Sequence, residues 1–118
     1  MQFGVDFYKK EDGICPIQQF LDSLSCKARA KVLRQVLLLQ NNGHELREPY
    51  SKYLEDGIFE LRVKHSTMCI RVLYFFMVNQ RIVLVNGFVK KAMKTPKNEM
   101  ELAKKYRKEY LERRENFK

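Results

Sequence analysis

The sequence is poor in the residues from which metal-dependent and redox enzymes are built. Its three cysteines, Cys15, Cys26 and Cys69, are odd in number and widely spaced. They form neither a CxxC pair nor a cysteine/histidine cluster at metal-ligand spacing, so the simplest reading is a reduced protein without structural zinc. His44 and His65 fall in a polar segment and at a hairpin tip, where neither is placed for acid-base catalysis. Paired carboxylates, a glycine-rich phosphate loop and a GxSxG elbow are all missing, which argues against metal-dependent nuclease and kinase chemistry. No apolar run approaches the roughly 18 residues of a membrane span, and the opening MQFGVDFYKKEDG has no apolar signal core. The expectation is a soluble, cytoplasmic protein with no membrane association, no metal and no other cofactor. Internal repeats, low-complexity runs and linkers are also lacking, so residues 1–118 read as a single domain.

What is present is enough for a core. The 118 residues are 45% apolar, a length and composition that fold without staples. The net charge of +9 is unevenly placed. Residues 1–60 hold 8 Lys/Arg against 9 Asp/Glu, and residues 61–118 hold 15 against 5. The excess therefore lies in the second half. A one-sided positive field attracts phosphate backbones whatever their sequence, so nucleic acid is the first partner to consider. A basic, solvated surface without a specific partner is the plain alternative.

Gln2 to Tyr8 alternates Phe3, Val5 and Phe7 with polar or small residues, the period of a strand. Pro16 suits the first position of a short helix carrying Ile17, Phe20, Leu21 and Leu24. Ser25 is placed to cap a longer helix to about Gln40, with Ala28, Val32, Leu33, Val36, Leu37 and Leu39 as its apolar stripe, and Asn41-Asn42-Gly43 ends it. His44 to Asp56 reads as a loop with one turn of structure at most. Three strands follow, at about 58–64, 68–78 and 81–90, with two-residue turns at Ser66-Thr67 and Asn79-Gln80. Thr95 as cap and Pro96 as first residue open a last helix to about Arg114. Its thin stripe, Met100, Ala103, Tyr106, Tyr110 and Leu111, predicts docking along one edge and fraying beyond Leu111.

The two turns fix a register. Position 62 pairs with 71, and 71 with 88. One face then displays Glu60, Arg62, Lys64, Cys69, Arg71, Leu73, Phe75, Leu84, Asn86, Phe88 and Lys90. The other displays Leu61, Val63, Ile70, Val72, Tyr74, Phe76, Val83, Val85 and Val89, and is the side for the first two helices. A one-residue slip at either turn would reverse part of this assignment. Arg62 directly opposite Arg71 is repulsive, so the pair needs a counter-anion, either an internal carboxylate such as Glu60 or a phosphate from a partner. Lys64, Lys90, Lys91, Lys94 and Lys97 surround the pair in sequence or register, and Phe88 and Phe75 lie near them. Cations interleaved with aromatic rings compose a single-strand RNA site, with Lys64, Phe88, Lys94 and Lys97 as the RNA contacts. The two phenylalanines could instead pack under the last helix. Metal-independent RNA cleavage needs a base for the 2′-hydroxyl, charge stabilisation of the phosphorane and an acid for the 5′-oxygen. Arginine fits the middle role, and Lys90, Lys91 and Lys94 are candidates for proton transfer.

The segments DGIFELRV, IRVLYFF and IVLVNGFVKKAMKTPKNEMELAKKYRKEY, preceded by PIQQFLDSL and a long helix ending in NNG, resemble the HigB-like, phage-related branch of the RelE/ParE toxin superfamily over nearly the whole chain. The resemblance implies an α+β, RelE-like (microbial RNase-like) curved antiparallel sheet with two N-terminal helices on one face and a C-terminal helix. It also implies a type II toxin that cuts mRNA in the A site of the 70S ribosome, and a cognate antitoxin of helix-turn-helix type. On matching positions Arg71 looks like the phosphate-stabilising arginine and Arg62 its basic partner. Lys90 and Lys91 stand where members place catalytic or RNA-holding groups. Other members have arginine and tyrosine, or histidine, in that region. Here lysines stand there, and Tyr106 and Tyr110 lie well down the last helix, which leaves acid and base unassigned. The same fold hosts ParE-like gyrase inhibitors and could host a non-catalytic RNA-binding module, so fold alone does not decide.

Overall fold

The computed structural model describes residues 2–91 and 93–116. The order of elements is β1 (Gly4–Phe7), α1 (Pro16–Ser23), α2 (Cys26–Asn42), a 3-10 turn (Gly43–Glu45), β2 (Ser51–Glu55), β3 (Ile58–His65), β4 (Met68–Met77), β5 (Arg81–Val89) and α3 (Lys97–Asn116). The sheet runs β1-β5-β4-β3-β2, antiparallel except that β1 lies parallel to β5. This is the expected α+β, RelE-like architecture.

The helical starts and stops follow local chemistry. Pro16 opens α1, where an N–H has no partner in any case. Ser25 Oγ accepts the Ala28 N–H at 3.2 Å, and Gly43 at φ 54° closes α2 by donating to the Leu39 carbonyl. Ala28, Val32, Val36 and Leu39 are the residues α2 buries. Leu33 and Leu37, expected in the stripe, are 41% and 50% exposed, because the face that meets β3 is narrower than the run of apolar residues. The segment 44–56 is not a plain loop. It contains β2, turned back onto β3 at Asp56-Gly57, both at positive φ. Asp-Gly is the residue pair such a hairpin demands.

The register holds at the cationic end and slips at the other. Arg62 pairs with Arg71 and Arg71 with Phe88, as expected. Near the second turn Met77, not Val78, pairs with Arg81, so the connection is the three residues 78–80, with Asn79 and Gln80 at positive φ. A bulge between Leu84 and Asn86 absorbs the extra residue and restores the pairing above it. The slip swaps faces below the bulge. Leu84 joins Ile82 beneath α1 and α2, whereas Val83 and Val85 face α3. Gly87 also lies under α1, where a Cβ would stand 2.4 Å from the Phe20 ring.

Two cores result. One lies between the sheet and α1/α2, which cover β5 and β3. The second lies beneath α3, where Leu73, Phe75, Val83, Val85 and Phe88 pack against Met100, Ala103 and Tyr106. α3 therefore lies across the second face over β5 and β4, instead of docking along an edge, and it is helical through Asn116. Aromatic and polar contacts spread along it do what the thin stripe does not. Tyr106 stacks on Tyr8 at 4.7 Å, Arg107 sits 5.6 Å over the Phe75 ring, and Tyr110 donates to Asp6 at 3.0 Å. No helix among the described residues is long and apolar enough to cross a membrane.

Candidate nucleic-acid interface

With α3 over much of that face, the end of β3, β4 and β5 nearest Arg62 stays open among the described residues. The electrostatic conflict between the facing arginines is resolved from within the chain. Glu60, one β-strand repeat before Arg62, lies on the same face and is only 1% exposed. Its Oε2 stands 3.1 Å from Arg62 Nε and its Oε1 3.5 Å from Arg71 Nε. The first contact is a hydrogen bond. The second is a charge contact only, because Arg71 Nε lacks hydrogen-bond geometry to any acceptor. Thr95 completes the arrangement by donating to Glu60 Oε1 at 2.7 Å. Its hydroxyl thus serves Glu60, and the first helical bond of α3 runs from Met100 N–H to the Pro96 carbonyl. One buried carboxylate gathers the two arginines and the connection that carries the lysines.

Two clefts flank the pair. The larger, about 510 Å³, is lined by Lys52, Glu60, Arg62, Lys90, Lys94, Thr95 and Lys97 with the start of α3. The smaller, about 390 Å³, is lined by Lys31, Gln35, Tyr50, Arg62, Lys64, Cys69 and Arg71. Arg62 borders both. The Lys90 N–H donates to the Cys69 carbonyl at 2.7 Å, which extends the β4–β5 pairing and holds Lys90 at the cleft. The far wall is fixed by Lys104, which pairs with Glu55, Asp56 and Glu101 and so straps the β2–β3 turn to α3. The hydrogen bond to Glu55 pushes the Lys104 ammonium well above its ordinary range.

Of the residues expected from sequence, Arg62, Lys90, Lys94 and Lys97 share the first cleft, and Arg62, Lys64 and Arg71 share the second. Lys91 is exposed and borders neither. Phe88 is in the core beneath α3, 7% exposed, so its ring is packed against protein and offers no stacking face. Phe75 is buried likewise. Sequence reasoning missed Lys52, Tyr50 and Lys31, which come from the strand read as loop, from the turn just before it and from the flank of α2. The Asp56-Gly57 pair was the signal for β2. Among the described residues no group of three or more His, Cys, Asp or Glu side chains is arranged to hold a metal ion.

A curved α+β sheet of RelE-like order, with a guanidinium pair bordering lysine-lined clefts, defines a small basic domain. The chain belongs to the family described as phage derived protein Gp49-like, whose model matches residues 19–108 and so spans every residue of the two clefts. That family is toxin-like and RelE-like in kind. No curated protein matches the chain.

Proposed function

We propose that this protein is the toxin of a type II toxin-antitoxin pair, of the HigB-like kind, which cuts mRNA in the ribosomal A site in the cytoplasm. The observation that carries the reading is the arginine pair around Glu60. Two guanidiniums are held in place before any substrate arrives, Arg62 bordering both clefts and Arg71 the smaller one. Cleavage would proceed by attack of a ribose 2′-oxygen on the adjacent phosphorus. The 2′-O–P bond forms, the P–O5′ bond breaks, and the products are a 2′,3′-cyclic phosphate and a 5′-hydroxyl. Arg71 and Arg62 donate to the phosphorane oxygens as their charge grows, from positions that need no reorganisation. Lys90, with Lys94 beside it, borders the cleft where the 2′-hydroxyl proton leaves and the 5′-oxygen receives one. Lys64 and Lys97 hold the flanking phosphates, and Lys91 meets the ribosome or strand from outside the clefts. A helix-turn-helix antitoxin is the expected partner.

The test is induction in a bacterium followed by primer extension. mRNA cuts in frame with translating ribosomes support the reading. DNA breaks and an SOS response over intact mRNA would refute it and favour gyrase inhibition.

A further inference from the structure

Two residues that line the smaller cleft carry buried polar atoms that make no hydrogen bond within the fold. Gln35 Oε1 and Arg71 Nε are both buried without a hydrogen bond, and both residues line this one cavity. Buried unpaired polar groups are uncommon enough that each calls for a cause. Here an acceptor, Gln35 Oε1, has no partner, and a cationic donor, Arg71 Nε, has only its 3.5 Å charge contact with Glu60. Tyr50, 45% exposed, forms another part of the wall. Its backbone is pinned on both sides, its N–H donating to the Arg47 carbonyl at 2.9 Å and its carbonyl accepting the Arg62 N–H at 2.8 Å. The aromatic ring is thus carried on a fixed stem next to the arginine pair. At about 390 Å³ the cavity is within the usual range for small-ligand sites.

A ligand suited to this cleft has a definable chemistry. It carries an N–H edge for Gln35, a flat ring for Tyr50 and a negative group for Arg71 and Arg62. A nucleotide within a single strand has all three. We propose that this cleft is a nucleobase subsite for single-stranded RNA, in which Tyr50 stacks on the base and Gln35 Oε1 accepts from its N–H edge while the arginines hold the adjoining phosphate. This rests on the RNA-cutting reading above and adds to it where one base sits relative to the arginines. It also replaces Phe88, which lies in the core, with Tyr50 as the aromatic contact.

The experiment compares, by fluorescence anisotropy, a short single-stranded RNA with an abasic strand of the same length and charge. Wild type binds the base-containing strand about tenfold tighter, the order of one base-aromatic stack. Tyr50→Ala loses that difference and keeps its affinity for the abasic strand. Gln35→Leu loses a smaller part of it, a few-fold. Tyr50→Leu, which retains bulk on the wall, gives the same outcome if Tyr50→Ala fails to fold. Equal binding of the two strands by wild type overturns the subsite, as does a Tyr50 variant that retains the full preference. A base-dependent wild type that leaves mRNA intact in cells would instead sink the nuclease reading and leave the subsite standing.

Discussion

Substituting Glu60→Gln keeps the side chain's shape and removes the charge that reconciles two arginines. Coulomb's law at an effective dielectric of about 20 gives about 5 kcal/mol for a contact of the Glu60–Arg62 kind. The longer Arg71 contact is slightly weaker. Both Nε atoms lie within 3.5 Å of one carboxylate. Their separation is then at most about 9 Å, which leaves about 2 kcal/mol of repulsion unopposed once the carboxylate is neutral. Against these losses the fold no longer desolvates an anion that is 1% exposed, a gain of several kcal/mol. The net expectation is a destabilisation of about 3 kcal/mol, in the range found when one member of a buried ion pair is removed. For a domain of this size that lowers Tm by roughly 10 °C. The assay is thermal unfolding in low-salt buffer, repeated with added phosphate, whose anion can take the place of the lost carboxylate between the guanidiniums. The variant should recover most of its deficit, and wild type should gain far less. Combining Glu60→Gln with Arg71→Met should also recover stability, because the repulsion then has only one partner. A Glu60→Gln protein that melts within a degree or two of wild type would refute the argument, and so would a deficit indifferent to phosphate.

Three further outcomes follow from the same geometry. Arg71→Ala should reduce mRNA cleavage by about a hundred- to a thousandfold, the usual loss on removing one preorganised donor from a developing oxyanion. Circular dichroism should still show a folded protein, because Glu60 keeps Arg62 and Thr95. Gly87→Ala should cost about 1–3 kcal/mol by driving a methyl into the Phe20 ring. The cost should shrink in a Gly87→Ala/Phe20→Leu double variant, as read from denaturant midpoints. Asp6, hydrogen-bonded by Arg81 and also by Tyr110, is held below its ordinary value of 3.8. Its contribution is therefore complete above that pH and is lost as pH falls through the lower folded value. Asp6→Asn should lower Tm at neutral pH and flatten the acid side of the stability profile, the two proteins converging once the native carboxyl is protonated.

How far the fold could be read depended on how tightly local chemistry fixed each step. The Arg62/Arg71 pairing was legible because a two-residue turn at Ser66-Thr67 leaves no slack, and hydrophobic alternation agreed with it. The face of Leu84 was not, since a three-residue connection and a bulge at Val85 offset one another and neither leaves a mark in composition. β2 escaped notice because an edge strand with only one buried residue, Ser51, has no apolar alternation to show. α3 was recognised as a helix but its berth was misjudged. Its hold on the sheet comes from tyrosines, arginine-ring contacts and ion pairs that hydrophobic counting ignores. At the site, the need for a counter-anion was visible from sequence, and Glu60 was one of two answers. Burial decided between them, and burial is a tertiary property.

The Glu60 arrangement also bears on how strongly the site should feel its ionic surroundings. Arg62, Arg71 and Glu60 together carry one net positive charge, not two. An RNA phosphate settling there displaces fewer condensed counterions than a bare arginine pair would require, and each phosphate neutralised on a single strand contributes a slope of only about 0.7 in log K against log salt. On the proposed reading, most of the salt sensitivity of RNA binding would then belong to Lys52, Lys64, Lys90, Lys94 and Lys97, which would draw the strand in from a distance. The arginines, already half-compensated, contribute orientation more than attraction. On that reading the site would release polyanions readily at cellular ionic strength and still hold one phosphate in one geometry.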